Sequence, residues 1–325
     1  MKVVAITRFG GPEVLRIEER PRPDPGPAEI RVRVHASSVN RADLLQRRGR
    51  YPAPAGFPQD VPGLEYAGEV ESVGPHSMRW RPGDRVMGIT GGGAHAEFIC
   101  VPEDEALAVP ANLSWEVAGA TPEVFLTAFD ALFAQAELEE GESVLVHAVG
   151  SGVGTAAVQL AAAAGHVVFG SSRTGEKLEG AVALGLTHPL DASSNWVAEI
   201  EALTSGGGVD VVVDLVGGRY VEEDLRVVAE RGRIVVVGLV AGARAEIDLG
   251  SLLRKRARLI GTVLRSRSSA EKVALARDFE HRVLPLLSSG RVHPVIDRVY
   301  PFEEVVAAHR LLESNATFGK VALRW

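Results

Sequence analysis

A single cysteine, Cys100, occurs in the 325 residues. That excludes an intrachain disulfide and any multi-cysteine zinc site. The nine histidines are scattered, with no two closer than 12 positions, and no HExxH-type spacing is present. No apolar run reaches the roughly 18 residues that span a bilayer. The opening MKVVAITRFGG shows no signal-peptide core or cleavage site, so a cytoplasmic location is expected. Positive charge is also short. A net charge of −7 repels phosphate and disfavours a dedicated nucleic-acid binder. The local basic patches QRRGR and LLRKRAR read as solvated loops or edges. Repeats and low-complexity segments are absent.

What remains is the balance of a globular protein, 46% hydrophobic and 24% charged, long enough for two domains. Residues 1 to about 120 are rich in Pro, Gly and alternating apolar positions. In EIRVRVHA, Ile30, Val32 and Val34 alternate with Arg31 and Arg33, the pattern of a half-buried strand. This region predicts a twisted, barrel-like β domain. From about 121 the texture changes. SVLVHAV, HVVFGS, VDVVVDLVG, GRIVVVGLV and ARLIGTVL are short, nearly continuous apolar runs, as in strands buried on both faces of a parallel sheet. Helical stretches lie between them, so a doubly wound α/β domain is expected over 121–289. Strand texture returns near 290–325, where the chain is expected to rejoin the first domain.

In HAVGSGVG, at 147–154, an apolar run gives way to a helical one. Small residues there permit a tight turn and close approach of a ligand to the main chain. The helix start adds free N–H groups and roughly half a positive charge, a place for a pyrophosphate. The dinucleotide fingerprint is GxGxxG. Val149 and Ser151 occupy its first two glycine positions and Gly154 its third, so the strict match fails. The strand-turn-helix context supports a nucleotide site formed by Gly150, Ser151, Gly152, Val153 and Gly154. NAD sites place an acid about 20 residues on, at the end of the second strand. Here that end reads GSSRTGEK. Ser172, Arg173 and Lys177 replace the acid, which suits a 2′-phosphate and predicts NADPH.

Long segments then resemble a known family: FGGPEVL, SSVNRADLLQRRGRYP, VPGLEYAGEV, GGGAHAEF, LTAFDAL, HAVGSGVGTAAVQL, LLRKRARLIGTVLRSR and GKVAL. Together they are similar to the zinc-independent quinone oxidoreductases of the medium-chain dehydrogenase/reductase superfamily, and most to the tumour-suppressor-inducible group. The resemblance implies a Rossmann domain inserted into a GroES-like domain, and NADPH-dependent, zinc-independent hydride transfer to a quinone. An enone or alkenal reductase and a non-catalytic NADPH-binding protein are the alternatives. Asn40 and Leu64 stand where zinc-dependent relatives carry a Cys and a His ligand.

By the same resemblance, Asn40, Asp43 and Tyr51 are expected near the reacting end. Asn40 is alternatively a helix cap and Tyr51 packing. Thr127 is expected at the nicotinamide, with Gly217, Gly238, Leu239 and Val240 along the cofactor. The glycines are alternatively plain strand-end turns. Glu65 is expected to be structural and Arg265 to sit on the rim of the cleft. THPLDASS offers no tyrosine to the 2′-phosphate, so that end rests on Arg173 and Lys177. The apolar edge ARLIGTVL predicts a homodimer.

Overall fold

The computed structural model describes residues 1–325. The chain divides into two compact units, 1–126 with 264–325, and 127–263.

The first unit is built on a seven-stranded, mainly antiparallel sheet. Its longest strand, Glu29–Val39, pairs with Glu65–Val73 on one side and with both Phe98–Pro102 and the C-terminal Lys320–Arg324 on the other. Val321 lies opposite Val39, so the end of the chain does rejoin the first domain. The alternation in EIRVRVHA places Ile30, Val32 and Val34 in one core with Tyr66, Val70, Val86 and Ile99. The expected boundary near 289 moves. Helices Ser269–Arg282 and Leu284–Ser288 belong to the first unit. Polar ties hold them there, including Arg277 to Asp104, Arg79 to Glu280, and the Asn112 amide donating to the Leu287 carbonyl.

The second unit is a six-stranded parallel sheet. Its strand order is His188–Asp191, Val167–Ser172, Ser143–Val146, Val209–Asp214, Val228–Val236 and Arg258–Gly261. Winding outward in both directions from Ser143–Val146 creates a switch point beside Val209–Asp214, where crevices form at the strands' carboxyl ends. Leu145, Phe169, Trp196, Ile200, Val212 and Ile234 pack its core.

One expectation from composition fails locally. Arg47 of QRRGR is fully buried, donating to the Gly10 carbonyl at 3.1 Å and pairing with Glu313. The helical stretch 115–135 passes for a membrane span by length and composition, although Glu116, Glu123 and Asp130 interrupt its apolar run, and most of it is buried inside the protein.

Arg233 clamps the start of the parallel sheet. Its guanidinium forms a bidentate pair with Glu142, both contacts at 2.6 Å. It also donates to the carbonyls of Ala136 at 2.7 Å and Glu137 at 3.0 Å. Arg233→Met strands a carboxylate and two carbonyls. The expected loss is about 3 kcal/mol, read as a lower urea midpoint by circular dichroism. An unchanged midpoint would show that the clamp contributes nothing.

Candidate active site

In the second unit the loop 147–151 leaves strand Ser143–Val146 and enters helix Gly152–Ala163. Ala148 adopts a left-handed φ of 52°, a conformation rarely taken without glycine. The Ser151 N–H donates back to the Ala148 carbonyl at 2.9 Å, closing the turn. Ser151 is the helix N-cap, and its Oγ accepts from the Gly154 N–H at 3.0 Å. The N–H groups of Gly152 and Val153 open the helix without an intrahelical acceptor. An anion can bind there.

The glycines of this turn have distinct reasons. A Cβ on Gly154 would meet the Ala148 carbonyl oxygen at 2.3 Å, so Gly154 serves close packing of helix on turn. A Cβ on Gly150 would meet Lys177 Cδ at 2.6 Å. The Lys177 stem therefore lies directly over the turn. Arg173 is exposed, and Ser172 is buried at the end of its strand, its Oγ accepting from the Thr174 N–H at 3.4 Å. The structure thus brings Lys177 to the glycine turn, with Ser172 and Arg173 following the neighbouring strand.

His147 pins this loop from beneath. Its Nε2 lies 2.7 Å from Asp224 Oδ1 and its Nδ1 2.7 Å from Ser171 Oγ. The ring stands edge-on to Trp196 and Tyr220. Burial opposes charge on His147, but Asp224 outweighs it and the imidazole pKa is raised; burial lifts the Asp224 carboxyl to about 6.

Gly217 and Gly238 approach each other's loops. A Cβ on Gly217, at φ 67°, would meet the Gly238 carbonyl oxygen at 2.8 Å, and one on Gly238 would meet that of Leu215 at 2.4 Å. Both are needed for main-chain clearance. Leu239 and Val240 are exposed on the loop that follows. Thr127 is buried in helix Pro122–Phe129.

In the first unit a buried carboxylate organises the residues. Ser38 Oγ, Asn40 Nδ2 and Lys320 Nζ all donate to Glu65 Oε1, the latter two at 3.0 and 2.9 Å. The Glu123 N–H donates to Oε2 at 2.9 Å. Asn40 Oδ1 accepts from Lys320 Nζ, so the Asn40 amide is engaged on both sides and 8% exposed. Asn40 also occupies the N-cap of helix Arg41–Arg47, and its N–H donates to Asp43 Oδ2 at 2.7 Å. Asp43 is fully buried, and its Oδ1 accepts from the Gly63 N–H at 2.8 Å. Both oxygens of Asp43 brace backbone.

Tyr51 is half-buried, with the Arg265 guanidinium 4.9 Å above its ring. Arg265 is not on a rim. It is 6% exposed and donates to the Gly91 carbonyl at 2.7 Å, the Tyr51 carbonyl at 3.1 Å and Gln46 Oε1 at 2.6 Å. It fixes the loop that presents Tyr51. Lys320, Glu123 and this role of Arg265 escape sequence reasoning. Lys320 lies some 250 residues from its partner Glu65, and no local pattern links them.

Comparisons with known proteins agree with this geometry. Residues 26–111 match the alcohol dehydrogenase GroES-like domain and 152–279 the zinc-binding dehydrogenase domain. Rat quinone oxidoreductase is 31% identical over 99% of this chain and 97% of its own length. The human synaptic vesicle membrane protein VAT-1 homolog is 32% identical over 99% and 86%. The structure of Escherichia coli quinone oxidoreductase complexed with NADPH superposes with a TM-score of 0.90, at 30% identity and full coverage of both chains. A GroES-like unit, a parallel nucleotide-type unit and full-length similarity thus converge, and the chain belongs to the quinone oxidoreductase family of the medium-chain dehydrogenase/reductase superfamily.

Proposed function

We propose that this protein is an NADPH-dependent quinone oxidoreductase that works without zinc, a cytoplasmic homodimer in its working form. The carrying observation is the cradle at 148–154, where a capped helix start meets the Lys177 stem and no acid ends the next strand. When bound, NADPH supplies the hydride. The chain's own residues hold and orient. Gly152 and Val153 N–H groups bind the diphosphate. Ser172, Arg173 and Lys177 take the 2′-phosphate. Gly217, Gly238, Leu239 and Val240 line the path of the cofactor, and Thr127 contacts its nicotinamide end. Tyr51 presents its ring to a flat acceptor, with Asn40 nearby and Asp43 bracing the Asn40 backbone. An electron-poor quinone needs little activation, so orientation carries much of the work.

The absence of zinc rests on the donor set. Where zinc-dependent relatives carry ligands, Asn40 and Leu64 stand, and the buried charge of Glu65 is met by Lys320. Homodimerisation rests on the sheet edge. Strand Arg258–Gly261 has a neighbour on one side only, and Leu253, Leu259 and Val263 are exposed around it, an edge suited to pairing with a second copy.

The kinetic test is NADPH consumption with para-quinones, ortho-quinones and enals. The quinones should be turned over with kcat/KM higher for NADPH than NADH, and a chelator should change nothing. Preference for enals, or loss of activity to the chelator, would overturn the quinone or the zinc-free assignment respectively. Replacing both Arg173 and Lys177 by Ala should raise the NADPH KM about tenfold or more, each charge-assisted contact being worth about 1.5–3 kcal/mol, and leave NADH kinetics unchanged. Ser151→Val removes the helix cap and crowds the diphosphate path, so the NADPH KM should rise as well. For assembly, sedimentation should give a dimer, and Leu253→Glu with Leu259→Glu should give a monomer.

A further inference from the structure

Hydride arrival leaves a quinone oxygen one proton short of the hydroquinone. Several polar side chains of the first unit are buried together, and most are already engaged. Lys320 donates to Asn40 and Glu65. Four donors converge on Glu65. Asp43 accepts two backbone N–H groups. Arg265 donates to Gly91, Tyr51 and Gln46. Glu123 is different. Its backbone N–H is tied to Glu65, which fixes its position at the start of helix Pro122–Phe129. Its carboxyl oxygens receive no hydrogen bond, and the residue is only partly buried. Tyr51 and Arg265 lie within its electrostatic reach.

We propose that Glu123 is the proton donor to the reduced acceptor. This rests on the oxidoreductase reading and adds to it the source of the second proton. The balance is simple. The hydride brings two electrons and one hydrogen nucleus. The Glu123 O–H bond breaks, an O–H bond forms on the acceptor oxygen, and the carboxylate is reprotonated from solvent.

The surroundings favour this protonation state. Burial and then the nearby Glu65 push the Glu123 carboxyl up to about 8, with Asp43 adding to the rise and Lys320 and Arg265 opposing it. Glu123 therefore carries its proton at neutral pH and loses it as pH rises through about 8. Burial raises the Tyr51 phenol above its ordinary value, making it a poorer donor.

The test compares wild type, Glu123→Gln and Glu123→Asp with a quinone acceptor across pH. Wild-type kcat should fall as pH rises through about 8. In E123Q, kcat should drop roughly a hundredfold with little change in quinone KM, and the basic limb should vanish. E123D should restore a limb. The drop should be smaller for a quinone bearing electron-withdrawing groups, whose reduced form needs its proton less. Independently of turnover, carbon NMR of glutamate carboxyls should show one resonance titrating near 8 in wild type and missing from E123Q. Denaturation midpoints check that E123Q folds. A basic limb retained in E123Q, or no such resonance in wild type, overturns the assignment. Wild type that consumes no NADPH with any quinone overturns the oxidoreductase reading, and the donor role with it.

Discussion

Burying the Glu65 carboxylate is tolerable only because four donors from three places in the chain meet it. A buried charge left unpaired costs several kcal/mol. Ser38 and Asn40 come from the end of one strand, Lys320 from the C-terminal strand, and the Glu123 N–H from the start of a helix. The carboxylate thus ties together elements distant in sequence. It also sets the conditions for its neighbours. Asn40 is oriented between Glu65 and Lys320, and Glu123 is held close enough to feel the Glu65 charge. The same interaction closes the first unit's sheet at its C-terminal strand.

The second unit relies mainly on main-chain bonds and short polar side chains. Its loop at 147–151 is held by main-chain bonds, a serine cap and a buried histidine below, leaving N–H groups free above. Rigidity here comes from main-chain and side-chain bonds beneath the loop, while the N–H groups at the helix start stay open. An anion meeting such a site finds its partners already placed, so little ordering remains to be done on binding. Gly217 and Gly238 serve a related end. Neither makes a side-chain contact, yet a methyl at either would push two loops apart.

The expected site residues divide once their surroundings are visible. Ser151 caps its helix, and Lys177 crosses the glycine turn. Asp43, by contrast, faces backbone with both oxygens and is closed off. Asn40 is both a helix cap residue and part of the Glu65 network. Helix caps and site residues share the same short polar side chains, and only three-dimensional neighbours distinguish them.

The sequence by itself determined the strand periodicities, the strand-turn-helix at 143–163, the missing acid after Ser172 and the return of the last strands to the first sheet. Each is local, written in spacings of two, three or four residues or in a few adjacent side chains. Only the tertiary structure decided that Arg47 and Arg265 are buried, that helices 269–288 belong with the first unit, and that Lys320 and the Glu123 N–H both meet Glu65. Those outcomes depend on charges brought together from opposite ends of the chain. Desolvation makes such pairings strong, and no residue's own neighbours in sequence encode them.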